Sequence, residues 1–542
     1  MKRLLARYVF LFLTLLPSSA LFAVDPPHQK IVIMWGDYGN GHKSAAKSIE
    51  GQVKAQNPSV DIAMKSINDF LTPFEDKTSK WVFENSVHYT PWLYDWGFNR
   101  YVWFGARISS VGDMPHINRR TALKIAAYLN EQKPDVIVTT FPNLVEYLVY
   151  MRKEGLISKE IPIHWQHTDY VPDQYFANLA RDLDQPNDRV FVPHEGIRQE
   201  WIDKYKLPGE RLQAIGIPVD SRWDQPMEDA QRTSFLTAEG LEPARKTITI
   251  MSGGNGVGDY SLMVRKIAES MKGSDHSIQI AAICGKNEVC KQKMEALRAE
   301  LDANFQENLR KTLIEIEREL QLPMGSKLKA RFYALKQSYS KERLDSLLAE
   351  LEKFIPAQQQ NRYDGIKFRI NQALSRRVIL KVNGFVKNAM EWVKASDVFI
   401  GKAGGISSTE LSHISGRRRP SIILLDINGG QEKSNIRLFD AKELAWWTGD
   451  QAEVGKISRE ILDHPDEAAR RAGNMDEFRK GFGIERAGQA ETRHGKTVVD
   501  TLAKLAALSK EEKSVGSEAS LEKLALRYRS CLKIISEANL GR

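Results

Sequence analysis

Residues 397–435 read DVFIGKAGGISSTELSHISGRRRPSIILLDINGGQEKSN, and how this stretch folds decides how the whole chain folds. Val398–Ile400 has the length and apolar composition of a buried strand. It runs into Gly401, Lys402, Ala403, Gly404 and Gly405, a turn that tolerates close approach and positive φ. Ser407, Ser408 and Thr409 are each able to cap a helix running towards Ile414. A glycine turn between a strand's carboxyl end and a helix amino terminus leaves N–H groups open beside a positive dipole, which suits phosphate. Glu410 falls about one turn into that helix, where a carboxylate can accept both hydroxyls of a ribose. A second strand, Ser421–Leu425, delivers Gly429, Gly430, Gln431 and Glu432 to the same sheet edge, with side chains suited to sugar hydroxyls. Two such turns after consecutive strands point to a nucleotide-sugar site.

Outward from this unit, strands alternate with helices in two series. In the first half, 30–35 (KIVIMW), 60–67, 135–139, 161–166, 190–192 and 212–215 read as strands. In the second, 247–251, 278–284, 379–382, 398–400 and 421–425 do the same. The pattern predicts an α/β chain of two doubly wound halves, residues 28–223 and 240–500, facing a cleft at the strand carboxyl ends. Residues 291–376 are charged, helix-forming and broken at Pro323–Ser326, which predicts a helical hairpin inserted in the second half. Residues 505–542 read as a helical tail.

The chain has 542 residues and a net charge of +9 at pH 7, compatible with an anionic membrane surface or nucleic acid. Cys284, Cys290 and Cys531 are its three cysteines, and their spacing fits neither a disulfide framework nor a zinc site. Residues 1–23 place Lys2, Arg3 and Arg7 before an apolar run, Tyr8–Leu16, and a small-residue stretch. That is a signal peptide cleaved after Ala20 or Ala23, or an uncleaved anchor.

Several residues carry candidate chemistry. Gly39, Gly41 and His42 end the first strand, so the imidazole is the candidate base for an alcohol acceptor. Asp169, after the fourth strand, is placed to orient His42 or touch the acceptor. His164 and His167 fall on opposite faces of their strand, and Asp182-Leu183-Asp184 sits in a polar loop, so no metal site is expected. Residues 81–104 (WVFENSVHYTPWLYDWGFNRYVWF) hold four of the eleven tryptophans, Trp81, Trp92, Trp96 and Trp103. Aromatic side chains with a polar tip suit a membrane interface, a greasy acceptor channel or an aromatic core under a lid. Gly253, Gly254 and Asn255 form a turn for a second phosphate, and Phe385, after Gly384, is placed to line a base.

The motifs YGNGH (38–42), TFP (140–142), TDY (168–170), GIPV (216–219), CGKN (284–287), GFV (384–386), KAGGISSTE (402–410) and GQEKSN (430–435) stand in an order that resembles the diacylglycerol glycosyltransferases. These include monogalactosyldiacylglycerol synthase and the processive diacylglycerol glucosyltransferase, with the lipid-II-forming N-acetylglucosaminyltransferase more distant. The resemblance covers about residues 30–480 apart from the insertion. It implies a GT-B fold, a UDP-galactose or UDP-glucose donor on the second half and a diacylglycerol acceptor on the first. It also implies inversion at the anomeric carbon with no cofactor or catalytic metal, at an anionic membrane surface and with no nucleic acid partner. On this basis His42 is the base, with Asp169 assisting. Gly253, Gly254, Asn255, Gly404, Gly405 and Ser407 meet the phosphates, Phe385 the uracil and Glu410 the ribose, and Gln431, Glu432 and Asn435 complete the donor site. Two features depart from the family: Asp173 and Phe176 stand where relatives have histidine and tryptophan, and the leader implies export, away from cytosolic UDP-sugars. The alternatives are transfer to another lipid such as a polyprenyl carrier, or an exported lipid- or glycan-binding protein without turnover.

Overall fold

All strands among the described residues pair in parallel, in two six-stranded sheets. The computed structural model describes residues 29–482 except Gly39, Arg417 and Asn428. The first sheet comprises β1 (Lys30–Trp35), β2 (Asp61–Ser66), β3 (Val136–Thr139), β4 (Ile163–Gln166), β5 (Arg189–Val192) and β6 (Leu212–Ala214), in the order β2-β1-β3-β4-β5-β6. The second comprises β7 (Lys246–Ile250), β8 (Ile278–Ile283), β9 (Ile379–Asn383), β10 (Val398–Lys402), β11 (Ser421–Leu425) and β12 (Trp446–Thr448), in the order β12-β11-β10-β7-β8-β9. Strands such as VIVT and SIILL are apolar on both faces because helices cover both faces of each sheet.

Strand order reverses between β1 and β3 in one sheet and between β7 and β10 in the other. Crevices form at such reversals, outside the strand carboxyl ends. The two reversals deliver the glycine-bearing turns that the sequence marks, with His42 after β1, Gly253 after β7 and Gly404 after β10, and beside them the Thr140 turn after β3. This is the two-domain, Rossmann-like GT-B architecture.

Helices fill the connections between the strands. α1 (Gly41–Gln56) follows β1. α2 (Pro73–Tyr89) and α3 (Pro91–Gly105) stand before β3, each opened by a proline, and α2 carries a Thr72/Glu75 capping box. α4 (Pro142–Lys153) follows β3. Between β8 and β9 lie α5 (Glu288–Leu320), α6 (Lys327–Gln337), α7 (Lys341–Phe354) and α8 (Gln360–Ser375). α9 (Gly405–His413) follows β10, α10 (Gln431–Ala441) follows β11, and α11 (Pro465–Lys480) comes after β12.

The insertion is therefore four helices and not one hairpin. Gln321 takes a left-handed conformation ahead of Pro323 and Gly325, Ser326 and Ser340 cap the next helices, and Pro356 ends the third. Leu309, Leu313, Phe332, Leu347, Leu351 and Ile370 give these helices a core of their own. β10 also runs through Gly401 and Lys402, two residues beyond the predicted end. The three-residue β12 was too short to leave a periodic signal.

α11 returns to the first half. Phe478 stacks on His194 at 4.6 Å, and the Glu195 N–H donates to Gly481 O at 3.0 Å. One hydrophobic core thus runs from Val32 through Ile406 and Phe439 to Phe482, across both halves. Cys284 and Cys290 are buried with their sulfurs 3.0 Å apart. The predicted leader (1–23), the tail (505–542) and Cys531 lie outside the described residues. No helix among the described residues is long and apolar enough to cross a membrane.

Candidate active site

His42 lies in the first turn of α1 and is held from β3. Its Nδ1 is 2.7 Å from Thr140 O and 3.2 Å from Thr168 Oγ1, and Thr140 Oγ1 donates back to His42 O at 2.9 Å. A carbonyl oxygen only accepts, so Nδ1 carries the proton and Nε2 is left as a lone-pair acceptor. Burial pushes the imidazole pKa down to about 4, against the Thr140 bond that raises it, so the ring is neutral at pH 7. A neutral imidazole with a free Nε2 is a general base in its working form.

Asp169 is held by the second half. Its Oδ1 is 3.4 Å from Asn435 Nδ2, and the Gly405 N–H at the start of α9 also bonds it. Burial pushes its pKa up to about 7, with the Glu432 carboxylate adding to the rise and Asn435, Lys402 and the Gly405 N–H opposing it. Asn435 ties the same joint together: its Oδ1 accepts from Tyr170 N at 2.8 Å and its Nδ2 donates to Ala403 O at 2.7 Å. Thr140 and Thr168, neither singled out from sequence, are the residues that hold His42, while Asp169 bridges to the second half. A Cβ on Gly405 would sit 2.0 Å from Thr168 O, so only glycine lets the two halves meet here.

Opposite His42, the turn Gly253–Asn255 and the start of α9 bound a recess of about 170 Å³. Gly404 caps α9 with no side-chain bond, so Ser407 is a lining residue and the expected serine or threonine cap is absent. Thr409 instead donates to Gly405 O at 2.8 Å inside the helix. Lys402, the last residue of β10, reaches into the recess and donates from Nζ to buried Glu432 at 2.6 Å. Its position was legible in KAGG; its direction was not, because the predicted strand stopped short of it. Gln431 and Glu432 line the same recess, as do Gly41, His42 and Asp169. Three predicted donor residues do not, and one of them, Asn435, is the residue at the joint between the halves. Glu410 stands beside Trp223 and Asp220, with burial raising its pKa to about 7 and the Trp223 bond opposing. Phe385, two residues past the end of β9, is 58% exposed. A Cβ on Gly254 would lie 2.5 Å from Asn40 Nδ2, so the two lobes touch across the mouth. Ligand pockets typically exceed about 300 Å³, so a nucleotide sugar needs the lobes to part.

On the other side of His42 lies a larger cavity of about 1030 Å³. Leu71, Val82, Phe83, Leu93, Phe98 and Phe141 give it apolar walls beneath α2 and α3. Its far end is polar: Tyr101 and Tyr175 donate to buried Glu146 at 2.7 and 2.8 Å. Tyr38, His42, Phe83, Tyr94, Asp169 and Gln431 line both spaces. Trp96 lines the cavity and is 61% exposed, whereas Trp81, Trp92 and Trp103 are exposed outside that lining. Phe176 also lines the cavity and packs on His167 at 4.8 Å, and Asp173 precedes a helix, Gln174–Asp182. Asp182 is structural, accepting from Ser110 Oγ and Val111 N. Among the described residues no three histidine, cysteine or acidic side chains are grouped to hold a metal ion. Gly39 is outside the described residues.

The family model for monogalactosyldiacylglycerol (MGDG) synthase matches residues 42–219, which holds the whole wall from His42 to Asp169. Two curated relatives are processive diacylglycerol beta-glucosyltransferases. That of Staphylococcus saprophyticus is 27% identical over 49% of this chain and 62% of its own length. That of Bacillus pumilus is 23% identical over 50% of this chain and 64% of its own. The chain thus spans under two thirds of the length of these relatives. Among solved structures, the MurG of Acinetobacter baumannii is 12% identical with a TM-score of 0.41, covering 88% of this chain and 99% of that one. An S. aureus MnaA–UDP complex is 10% identical with a TM-score of 0.44, covering 87% of this chain and 97% of the other. With its motifs in order and residues 42–219 matched by the family model, the chain is similar to the diacylglycerol glycosyltransferases.

Proposed function

We propose that this chain is an inverting glycosyltransferase that moves galactose or glucose from a UDP-sugar to the 3-hydroxyl of 1,2-diacylglycerol at a membrane surface. The observation that carries the reading is the place of His42, a neutral imidazole between a large apolar cavity and a recess edged by a helix amino terminus and Lys402. The acyl chains fill the cavity and bring the hydroxyl to Nε2. Nε2 takes the hydroxyl proton as that oxygen forms its bond to the anomeric carbon, and the bond from that carbon to the diphosphate oxygen breaks in line. One displacement inverts the centre. The charge arriving on UDP is met by Lys402 Nζ and the N–H groups of α9, as preorganised donors stabilise a leaving group.

The test is to supply vesicles of phosphatidylglycerol and diacylglycerol with labelled UDP-glucose or UDP-galactose. A labelled glycolipid is expected, with one of the two sugars preferred. No product from either sugar, in vesicles with diacylglycerol or with a polyprenyl acceptor, removes the enzyme reading.

The outer face of α3 supports membrane association. Trp92 is 71% exposed and Trp103 47%, and the Arg100 and Arg107 guanidinium groups stand 5.1 and 4.1 Å from the Trp103 ring. Indole rings beside arginine suit an anionic interface. Trp92→Glu/Trp103→Glu is expected to lower vesicle partitioning at least about tenfold in a sedimentation assay, each buried ring contributing at least a kcal/mol or so. The protein's circular dichroism is expected to stay unchanged.

Asp169 adds a pH dependence. Its folded pKa is raised, so its contribution to stability is full below the ordinary carboxylate value and lost as pH rises through about 7. The ionised form also competes with a diphosphate for the α9 amino terminus. UDP-sugar affinity is therefore expected to rise as pH falls through about 7, and Asp169→Asn to flatten that dependence in a titration calorimeter.

A further inference from the structure

The turn that opens α10 is shaped by the opposite lobe. Gly429 and Gly430 both have positive φ, 67° and 58°, where a side chain is strained. A Cβ on Gly429 would lie 2.8 Å from Asp95 Cβ, and one on Gly430 would lie 3.0 Å from Tyr94 Cε1. Both of these neighbours belong to α3, the helix over the apolar cavity.

The contact is polar as well as close. The Gly430 N–H donates to Asp95 Oδ1 at 2.8 Å, and Lys433 Nζ donates to Asp95 Oδ2 at 2.7 Å. Tyr94 OH donates to Gln431 Oε1 at 3.2 Å. Partial burial alone would raise the Asp95 pKa, but the Lys433 and Gly430 bonds hold it below its ordinary value, so the carboxylate is ionised at neutral pH. One acidic side chain thus fixes the backbone just before Gln431 and the side chain just after Glu432, while its neighbour Tyr94 sets the Gln431 amide.

We propose that Asp95 is a positioning residue for the donor loop Gly429–Glu432, so that seating α3 over the acceptor cavity assembles the sugar-recognising part of the donor site. The inference rests on the proposed reading that this loop meets the sugar of a UDP-sugar. It makes α3 a shared wall: its inner face closes on the lipid, and its amino-terminal turn sets the side chains that hold the sugar. When α3 lifts, the grip on the sugar loosens while the uridine and phosphate contacts on β7 and α9 stay as they were.

The experiment compares UDP with the UDP-sugar on the full chain by titration calorimetry, in the parent, Asp95→Ala, Asp95→Asn and Lys433→Ala. Asp95→Ala is expected to weaken UDP-sugar binding about tenfold, as the loss of a charge-assisted hydrogen bond does, with UDP binding within about twofold. Asp95→Asn keeps an oxygen for the Gly430 N–H and is expected to lose less. Lys433→Ala keeps the whole Asp95 cap and is expected to lose about two- to threefold, as partly exposed ion pairs do. In turnover, Asp95→Ala is expected to raise the donor KM with little change in kcat. Equal loss of UDP and UDP-sugar affinity, or parent-like sugar binding in Asp95→Ala and Asp95→Asn, overturns the proposal. Should Asp95→Ala not fold, the Asp95→Asn and Lys433→Ala ratios decide. A parent that binds neither ligand removes the donor reading, and this inference with it.

Discussion

His42→Ala is expected to lower kcat about 10³-fold while UDP binding stays within about twofold, since a positioned general base contributes 10²–10⁴. The expectation follows from hydrogen-bond direction. Thr140 O fixes the proton on Nδ1, so Nε2 faces the reaction with its lone pair free, and the alanine variant deletes that lone pair without disturbing Lys402 or α9. His42→Gln supplies an oxygen or nitrogen of similar reach but no basicity, and is expected to be as slow as alanine. The pH profile gives a second check. The folded pKa is depressed to about 4 from an ordinary value of 6.5, so the neutral ring's contribution to stability is present above 6.5 and lost as pH falls through 4. The acid limb of kcat/KM assigned to this ring is accordingly expected near 4 rather than 6.5. An acid midpoint near 6.5, or a His42→Ala variant that turns over like the parent, would show that the proton leaves by another route.

The place of His42 was legible in the sequence because it follows from a local rule: a glycine-flanked turn after a strand points its next side chain into the crevice. The same rule placed Gly253, Gly404, Gln431 and Glu432, and eleven of the twelve strands were legible as short apolar runs. What escaped notice joins residues far apart in the chain. Thr140 and Thr168 hold His42 from 98 and 126 residues away, and Asn435 meets Tyr170 across 265. No periodicity records such contacts, because they arise only once the two sheets face each other. Glu410 illustrates the converse. Its spacing into α9 was read correctly, but its neighbour Trp223 lies in the connection between the halves, where no regular pattern predicts what a carboxylate will meet. The inserted helices were legible in part: the charged run specifies helix and its break at Pro323–Ser326 is where the sequence puts it, while the further breaks at Ser340 and Pro356 follow from a serine cap and a single proline inside that run.

Lys402→Ala is expected to be the second severe variant, with UDP-sugar affinity down about 100-fold, the scale of one or two charge-assisted bonds to phosphate. Lys402 is the cation that lines the recess, and its stem passes the Gly253 turn: a Cβ there would lie 3.2 Å from Lys402 Cε. Its ammonium lies between the two turns read as phosphate-binding and is held there by Glu432. Removing it also leaves the Glu432 carboxylate, 5% exposed, without its lysine. Breaking a fully buried pair costs about 3–5 kcal/mol, but the Lys402 side chain is 27% exposed, so solvent screening brings the expected loss to about 1–2 kcal/mol. The two effects separate in the double variant. Lys402→Ala/Glu432→Gln removes the buried charge that has lost its lysine, so thermal stability is expected to recover towards the parent in calorimetry. Affinity for UDP, which carries no sugar for residue 432 to hold, is expected to stay low, because no cation has been restored. If instead affinity recovers along with stability, Lys402 serves only to neutralise Glu432, and the charge on departing UDP must be met by the α9 amino terminus alone.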